Sequence, residues 1–282
     1  MGIVPALPSP ARAFAEAAVG LPLTVEEVTD RRGSAVWKAT GPTGAVAVKA
    51  GYGEAGERAT AREVAVLGAL GIDYFLGSGY HEGGSWLVTR WLDAPSTKKV
   101  FEPVRNDAGG REEALSAAVE LCRAVADLHA AGWVHSDLQP AHGVHTPDGV
   151  RLLDMSWAWR EGFEPPAAFR GGIVHLLAPE LAASIGVGIM PVAPSPSAEV
   201  HALAGSLWTC VTGRWPLDYQ AAGIDPDRLD VVQLRARVAS RKVPLDVARP
   251  WPEVQDVLQS VLMAPRRERP SAADLSDALA RL

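Results

Sequence analysis

Up to about residue 93 the apolar positions come in short, β-branched runs: LTVEEV (23–28), SAVWKAT (34–40), AVAVKA (45–50) and SWLVTRW (85–91). Turn signals separate them, namely Arg32-Gly33, GPTG (41–44) and EGG (82–84). Runs of this kind between turn residues predict a meander of antiparallel strands. One segment interrupts it. GERATAREVAVLGAL (56–70) sets Val64, Leu67 and Leu70 among good helix formers, which predicts one helix on the sheet. From about residue 110 the spacing turns helical. EEALSAAVELCRAVADLHAAG (112–132) carries Leu115, Val119, Cys122, Val125, Ala126 and His129 along one face and stops at Gly132. SAEVHALAGSLWTCVTG (197–213) has few charges and is predicted to be buried on most sides. WPEVQDVLQSVLM (251–263) and SAADLSDALARL (271–282) follow, the second with Ser271 as N-cap and Asp274 three residues on. GVHTPDGVRLLD (143–154) predicts two short strands around a TPDG turn, the second ending in Asp154. The expected fold class is α+β. Residues 1–21 form an N-terminal extension, 22–92 a small antiparallel-sheet lobe with one helix, and 93–282 a larger, mainly helical lobe. Ligand clefts often lie at such lobe junctions.

Composition narrows the function classes. A chain of 282 residues, 48% hydrophobic, is long enough for one large domain or two lobes. The net charge is −6, and a nucleic-acid footprint would need a basic excess or stripe, so no nucleic-acid partner is expected. The short cationic pairs Lys98-Lys99 and Arg266-Arg267 have the look of a solvated face. Cys122 and Cys210 sit in apolar helical patterns and are expected to be core thiols in a reducing cytoplasm. Four Cys/His ligands at zinc spacing are absent. The first twenty residues lack a basic stretch before an apolar run, Met1-Gly2 with Ala6 misses the myristoylation pattern, and there is no run of eighteen apolar residues. The expectation is a cytoplasmic protein without a membrane partner.

Six short motifs occur in a fixed order. They are VAVKA (46–50), REVAVL (62–67), LHAAGWVHSDLQPAH (128–142), LLDMS (152–156), LLAPEL (176–181) and RERPSAADL (267–275). Together they resemble the protein kinase family over roughly 22–282, and the expected architecture is its bilobal fold. The resemblance implies ATP as cofactor with Mg²⁺, or Mn²⁺, as the metal. It makes Lys49 the lysine that reaches the nucleotide phosphates and Glu63 its helix partner. Asp137 matches the catalytic aspartate, which accepts the proton of the acceptor hydroxyl, and Asp154 the metal ligand. Adenine would lie against Val36 and Ala47, with backbone groups of Arg90 and Leu92 as the hinge and Thr89 as gatekeeper. Glu180 of the Ala-Pro-Glu and Arg269 of the late Arg-Pro are expected to pair. These two motifs favour the protein-kinase branch over the aminoglycoside type.

The pattern breaks in several places. Thr29, Arg31 and Ser34 stand where three glycines normally let backbone N–H groups approach phosphate; Arg31 and Arg32 either supply side-chain charge instead or are exposed hairpin residues. His142 replaces a metal-binding asparagine, and three roles are open to it: metal ligand, phosphate-binding cation, or hydrogen-bond partner of Asp137. Imidazole suits Mn²⁺ better than Mg²⁺. Gln139 replaces a lysine aimed at the γ-phosphate; it can position an oxygen but carries no charge. Ser136 replaces an arginine that clamps a phosphorylated segment, and the segment 157–183 contains no Ser, Thr or Tyr. Both point away from a phosphorylation switch there. Ile173 replaces a threonine that contacts the catalytic aspartate, Met155-Ser156 replace Phe-Gly, and Glu199 stands for the aspartate that anchors the catalytic loop. Trp157 and Trp159 either shape an acceptor groove or pack against the large lobe.

Three functions fit this sequence. The first is an ATP-dependent kinase for Ser or Thr in a protein or peptide, such as a dedicated precursor peptide; Lys49, Asp137 and Asp154 support it, with Asp137, Lys49, His142 and Gln139 as the catalytic set. The second is a pseudokinase that binds nucleotide or serves as a scaffold, as the missing glycine loop and the altered positions 139 and 142 suggest. The third is a small-molecule kinase.

Overall fold

The computed structural model describes residues 6–31, 33–163, 169, 171–189 and 191–282. Arg32, the side chain of Arg31, the Met1-Gly2 start, and residues 164–168 and 170 of the segment 157–183 lie outside the described residues. The chain is a mixed α and β protein whose described residues group into two compact units. One holds the residues up to Asp93 together with Met155–Trp157, the other Ala94–Asp154 and Ala158–Leu282.

The first unit runs α1 (Ser9–Val19), β1 (Thr24–Arg31), β2 (Ser34–Gly41), β3 (Gly44–Tyr52), α2 (Gly53–Leu70), β4 (Phe75–His81) and β5 (Gly84–Arg90). The strands form one sheet in the order β1-β2-β3-β5-β4, and every neighbouring pair is antiparallel. Side chains alternate across a strand. Ala35, Trp37 and Ala39 of β2, Val46, Val48 and Ala50 of β3, and Trp86 and Val88 of β5 therefore share one face. Ala11, Ala15 and Val19 of α1 pack into the same cluster, one helical turn apart, so α1 covers that face. The register pairs Val36 with Lys49, Lys49 with Leu87, and Ala47 with Thr89. These five residues consequently line the opposite face, half-buried apart from the buried Leu87.

Two elements of this unit were not predicted. Helix α1 lies inside 1–21, where only an extension was expected. Strand β4 was missed because its sequence, FLGSGYH, lacks strand formers where glycines make room for rings. A Cβ on Gly77 would come within 2.5 Å of Phe14, and one on Gly79 within 2.6 Å of Trp86.

The second unit contains α3 (Thr97–Val100), α4 (Glu102–Arg105), α5 (Arg111–Ala130), β6 (Trp133–Val134), β7 (Gly143–Thr146), β8 (Gly149–Leu152), β9 (Trp159–Arg160), α6 (Pro179–Gly186), α7 (Pro196–Thr212), α8 (Val231–Ser240), α9 (Pro252–Met263) and α10 (Ala272–Leu279). Strands β7 and β8 form the hairpin expected around the TPDG turn, although β8 ends at Leu152, two residues short of Asp154. Strands β6 and β9 pair antiparallel. Helix α7 is buried over most of its length, as its lack of charge requires. The buried face of α5 is Ala114, Ala117, Ala118, Val119, Leu121, Cys122, Val125 and Leu128, with Leu115, Ala126 and His129 only half-buried. Val119, Cys122 and Val125 of the expected stripe are thus buried, whereas Ala114, Ala117 and Ala118, which complete the face, were not expected because alanine marks a face weakly. Burial pushes both thiols up, that of Cys210 to about 12. The Ser271–Asp274 capping box opens α10, and Asp230 with Gln233 makes a second one on α8. Among the described residues no helix is long and apolar enough to cross a membrane.

His201 of α7 is buried, with Nδ1 3.4 Å from the Leu176 carbonyl. Burial and then the Arg269 charge lower its pKa to about 4. Between about pH 6.5 and 4 the unfolded chain therefore takes up a proton that the folded one refuses, and stability falls with pH by on the order of 3 kcal/mol. His201→Gln should flatten the loss of urea stability across this range. An unchanged slope would remove His201 as the cause.

Candidate functional site

In the first unit two candidate residues meet. Lys49 Nζ lies 2.6 Å from Glu63 Oε2, both side chains largely sequestered. Glu63 belongs to the buried stripe of α2 with Thr60, Val66 and Leu67, which aims a carboxylate where an apolar residue would otherwise sit. An unpaired carboxylate there would be very costly, so the lysine and further donors are needed. One such donor is the Met155 N–H, 3.2 Å from Glu63 Oε1.

The β1–β2 turn is bound down by its own unit. Tyr52 N–H donates to the Gly33 carbonyl at 2.7 Å, and a Cβ on Gly56 would lie 2.0 Å from the same oxygen. Glycine is needed at position 56 because the first turns of α2 touch the hairpin backbone to backbone. The expected phosphate glycines at 29, 31 and 34 are missing, yet two other glycines serve this internal approach. At the hinge segment, Arg90 N–H donates to the Tyr74 carbonyl and Trp91 N–H to that of Ala45, at 2.8 and 3.0 Å. Val36 and Ala47 lie on the sheet face that carries Lys49, and Leu92 follows half-buried.

In the second unit a buried glutamate organises the loop after β6. Glu199 of α7 accepts the N–H groups of His135 and Ser136, at 3.0 and 2.7 Å, and a hydrogen bond from His129 Nε2 at 2.8 Å. Burial pushes its carboxyl up, but His129 and the His135 backbone outweigh burial, and the pKa ends below the usual range. The glutamate thus does the anchoring expected at this position.

His135 continues the network. Its Nδ1 accepts the Asp137 N–H at 3.3 Å, so Nε2 carries the proton and donates to the Leu153 carbonyl at 2.8 Å. Leu153 N–H in turn donates to the His142 carbonyl at 2.8 Å. The segment before Asp154 is in this way tied to the loop that holds Asp137. Ser136 and Asp154 both have left-handed backbones, φ 72° and 60°, which non-glycine residues adopt at a cost and which cluster at functional sites.

Around Asp137, Gln139 Nε2 donates to its Oδ2 at 3.4 Å, and His142 Nδ1–H donates to its backbone carbonyl at 2.9 Å. A Cβ on Gly172 would lie 1.9 Å from Asp137 Oδ1. The backbone of the 157–183 segment therefore touches the carboxylate directly, with Ile173 beside it lining a small cavity shared with Asp137. His142 Nε2 lies 3.9 Å from Asp154 Oδ2, too far for a hydrogen bond. With Nδ1 donating, Nε2 has its lone pair toward that carboxylate. This donor pair, one nitrogen and one hard oxygen, fits Mn²⁺ better than Mg²⁺. Among the described residues no group of three or more His, Cys, Asp or Glu could hold a metal, so phosphate oxygens and water would complete a shell.

Of the candidates, Lys49 and Glu63 meet in the first unit, with Val36 and Ala47 on the same sheet face as Lys49; Asp137, Gln139, His142 and Asp154 are linked in the second. The Glu180–Arg269 pair is present at 2.6 Å, and Arg269 also donates to the Ser197 carbonyl. Trp157 and Trp159 are half-buried, and Trp159 Nε1 donates to the Phe163 carbonyl. Sequence reasoning saw His135 within the LHAAGWVHSDLQPAH motif and His129 on a helix face but gave neither a role, and it missed Gly172, for which the paired glycines 171–172 were a signal.

No family model matches the chain. The chain is 26% identical over 197 residues, 67% of its length, to a protein of Thermomonospora curvata named probable serine/threonine-protein kinase PkwA. The match spans 23% of that protein.

Glu199→Ala should cost roughly 3 kcal/mol of unfolding free energy, since two N–H donors lose their acceptor. Glu199→Gln, which keeps one oxygen, should lose less. Urea denaturation of both variants measures this, and equal losses would place the effect in packing rather than in the hydrogen bonds.

Proposed function

We propose that this chain is an ATP-dependent phosphotransferase of the serine/threonine protein kinase type, acting on Ser or Thr of a protein or peptide. Lys49, fixed by Glu63, binds the nucleotide phosphates. Asp137 orients the acceptor hydroxyl and takes its proton while the γ-phosphoryl group passes to the hydroxyl oxygen and ADP leaves. Asp154 and His142 would hold a divalent ion, which when bound neutralises phosphate charge. Val36 and Ala47 contact the adenine, and backbone groups of Arg90 and Leu92 hydrogen-bond its edge. Gln139 holds the Asp137 carboxylate in place.

The observation that carries the reading is the sequestered Lys49–Glu63 pair at 2.6 Å. A strand lysine with only a solubilising role would sit in water. The named relative, itself a probable kinase, supports the reading, as does the Glu199 clamp under the Asp137 loop. Phosphorylation within 157–183 is not part of the proposal, because that stretch has no hydroxyl side chain.

A second reading, a nucleotide-binding protein without transfer, is favoured by one feature. Gln139 contacts Asp137 Oδ2 where the resemblance leads one to expect an ammonium.

The test is γ-phosphoryl transfer from ATP with Mg²⁺ or Mn²⁺ to Ser/Thr peptides. Wild type should transfer, with Mn²⁺ the better metal. Lys49→Met and Asp137→Asn should each lower the rate by about 10²- to 10⁴-fold with the fold intact. His142→Asn should shift the preference toward Mg²⁺. Nucleotide binding without transfer would favour the second reading, and unimpaired transfer by Lys49→Met would refute the role given to that residue.

A further inference from the structure

Beside the Asp137 loop, inside the second unit, lies a cavity of about 440 Å³. Gln139 and Ile173 form its inner edge, and both reach Asp137: Gln139 by its hydrogen bond, Ile173 through the small cavity they share. Its charged lining is cationic throughout, from Lys98 of α3, Arg105 of α4 and Arg214 after α7, and Trp215 adds a flat apolar wall. Among the described residues no Asp or Glu lines it, in a chain whose net charge is −6.

Among the described residues none of the three cations has a close ion-pair partner. Arg105 Nη1 and Nη2 donate to the Cys210 and Lys98 carbonyls at 2.9 and 2.8 Å, neutral acceptors that fix the guanidinium without cancelling its charge. Glu102, one turn back on α4, is paired with Lys99. Arg214 has only a long contact to Asp246, at 3.9 Å and with most of its side chain in water. Asp218, Asp225 and Asp246 line a separate cavity that shares Arg214 and Trp215. Trp215 is held by stacking on His175, ring centroids 4.7 Å apart. A pocket with an anchored guanidinium, a second guanidinium and an ammonium group, and no carboxylate among its described lining residues, suits an oxyanion.

We infer that this cavity seats an acidic side chain of the acceptor segment, so that the substrates are Ser or Thr residues flanked by Asp or Glu. The inference rests on the transferase reading above for the role of Asp137, and it names the substrate class for that site.

Binding separates the two. A fluorescein-labelled Ser peptide flanked by Glu is titrated with the full chain, without nucleotide, and followed by anisotropy, with a Lys-flanked peptide as control. The acidic peptide should bind at least about tenfold tighter than the basic one, the scale of one charge-assisted hydrogen bond. The affinity should fall with added salt. Lys98→Glu with Arg214→Glu, both at exposed positions, should abolish the preference or reverse it. Equal binding of the two peptides, or a preference unchanged in the double variant, would overturn the inference. So would displacement of the acidic peptide by inorganic phosphate at equal concentration, which would mark a site for small free anions. Acidic-peptide binding together with no transfer to any peptide would sink the proposed activity and leave the anion site standing.

Discussion

A carboxylate taken out of water has to be met by donors, and two such groups govern this chain. Glu63 gathers the Lys49 ammonium and the Met155 N–H; Glu199 gathers the N–H groups of His135 and Ser136 and the ring of His129. Each sits on a helix and accepts backbone N–H groups from a segment outside the α-helices and the large sheet, Met155 in one case and His135 and Ser136 in the other. Loops with unmet polar groups would otherwise stay hydrated and mobile. The candidate residues Lys49, Asp137 and Asp154 are all at or next to positions fixed in this manner.

The replaced positions acquire a physical meaning from the same networks. His142 does not merely stand in for a smaller amide, since its Nδ1 hydrogen bond to the Asp137 carbonyl sets which nitrogen is left toward Asp154. Gly172 brings main chain against the Asp137 carboxylate, in the stretch where Ile173 stands in place of the hydroxyl residue that the resemblance led one to expect. The hairpin that lacks its three glycines is held to α2 through Gly33 and Gly56. The close backbone approach of this hairpin is made toward the chain's own helix.

How much of this could be read in advance depended on the kind of residue. The strands of Val36, Val46 and Val88 and the bare helix around Trp208 were legible, because branched and apolar side chains at fixed period carry the signal. Helix α1 and the alanine part of the α5 face were not, since alanines bury well but mark a face weakly. Strand β4 was hidden by glycines whose purpose is to make way for Phe14 and Trp86. At the site, the pairs Lys49–Glu63 and Glu180–Arg269 were anticipated by motif order, whereas the His135 relay joins positions 135, 137 and 153 through backbone atoms that any residue possesses. The cation-lined cavity was equally invisible, for Arg214 is far in sequence from Lys98 and Arg105 and each alone resembles a solvated surface residue.

The account stands or falls on whether the altered loop still handles a metal nucleotide. The most direct measurement is anomalous diffraction from crystals grown with Mn²⁺ and a non-hydrolysable ATP analogue. The account predicts a manganese peak within coordination distance of both His142 Nε2 and an Asp154 carboxylate oxygen. Nucleotide bound with no metal at these two residues, or no nucleotide at all, would contradict it.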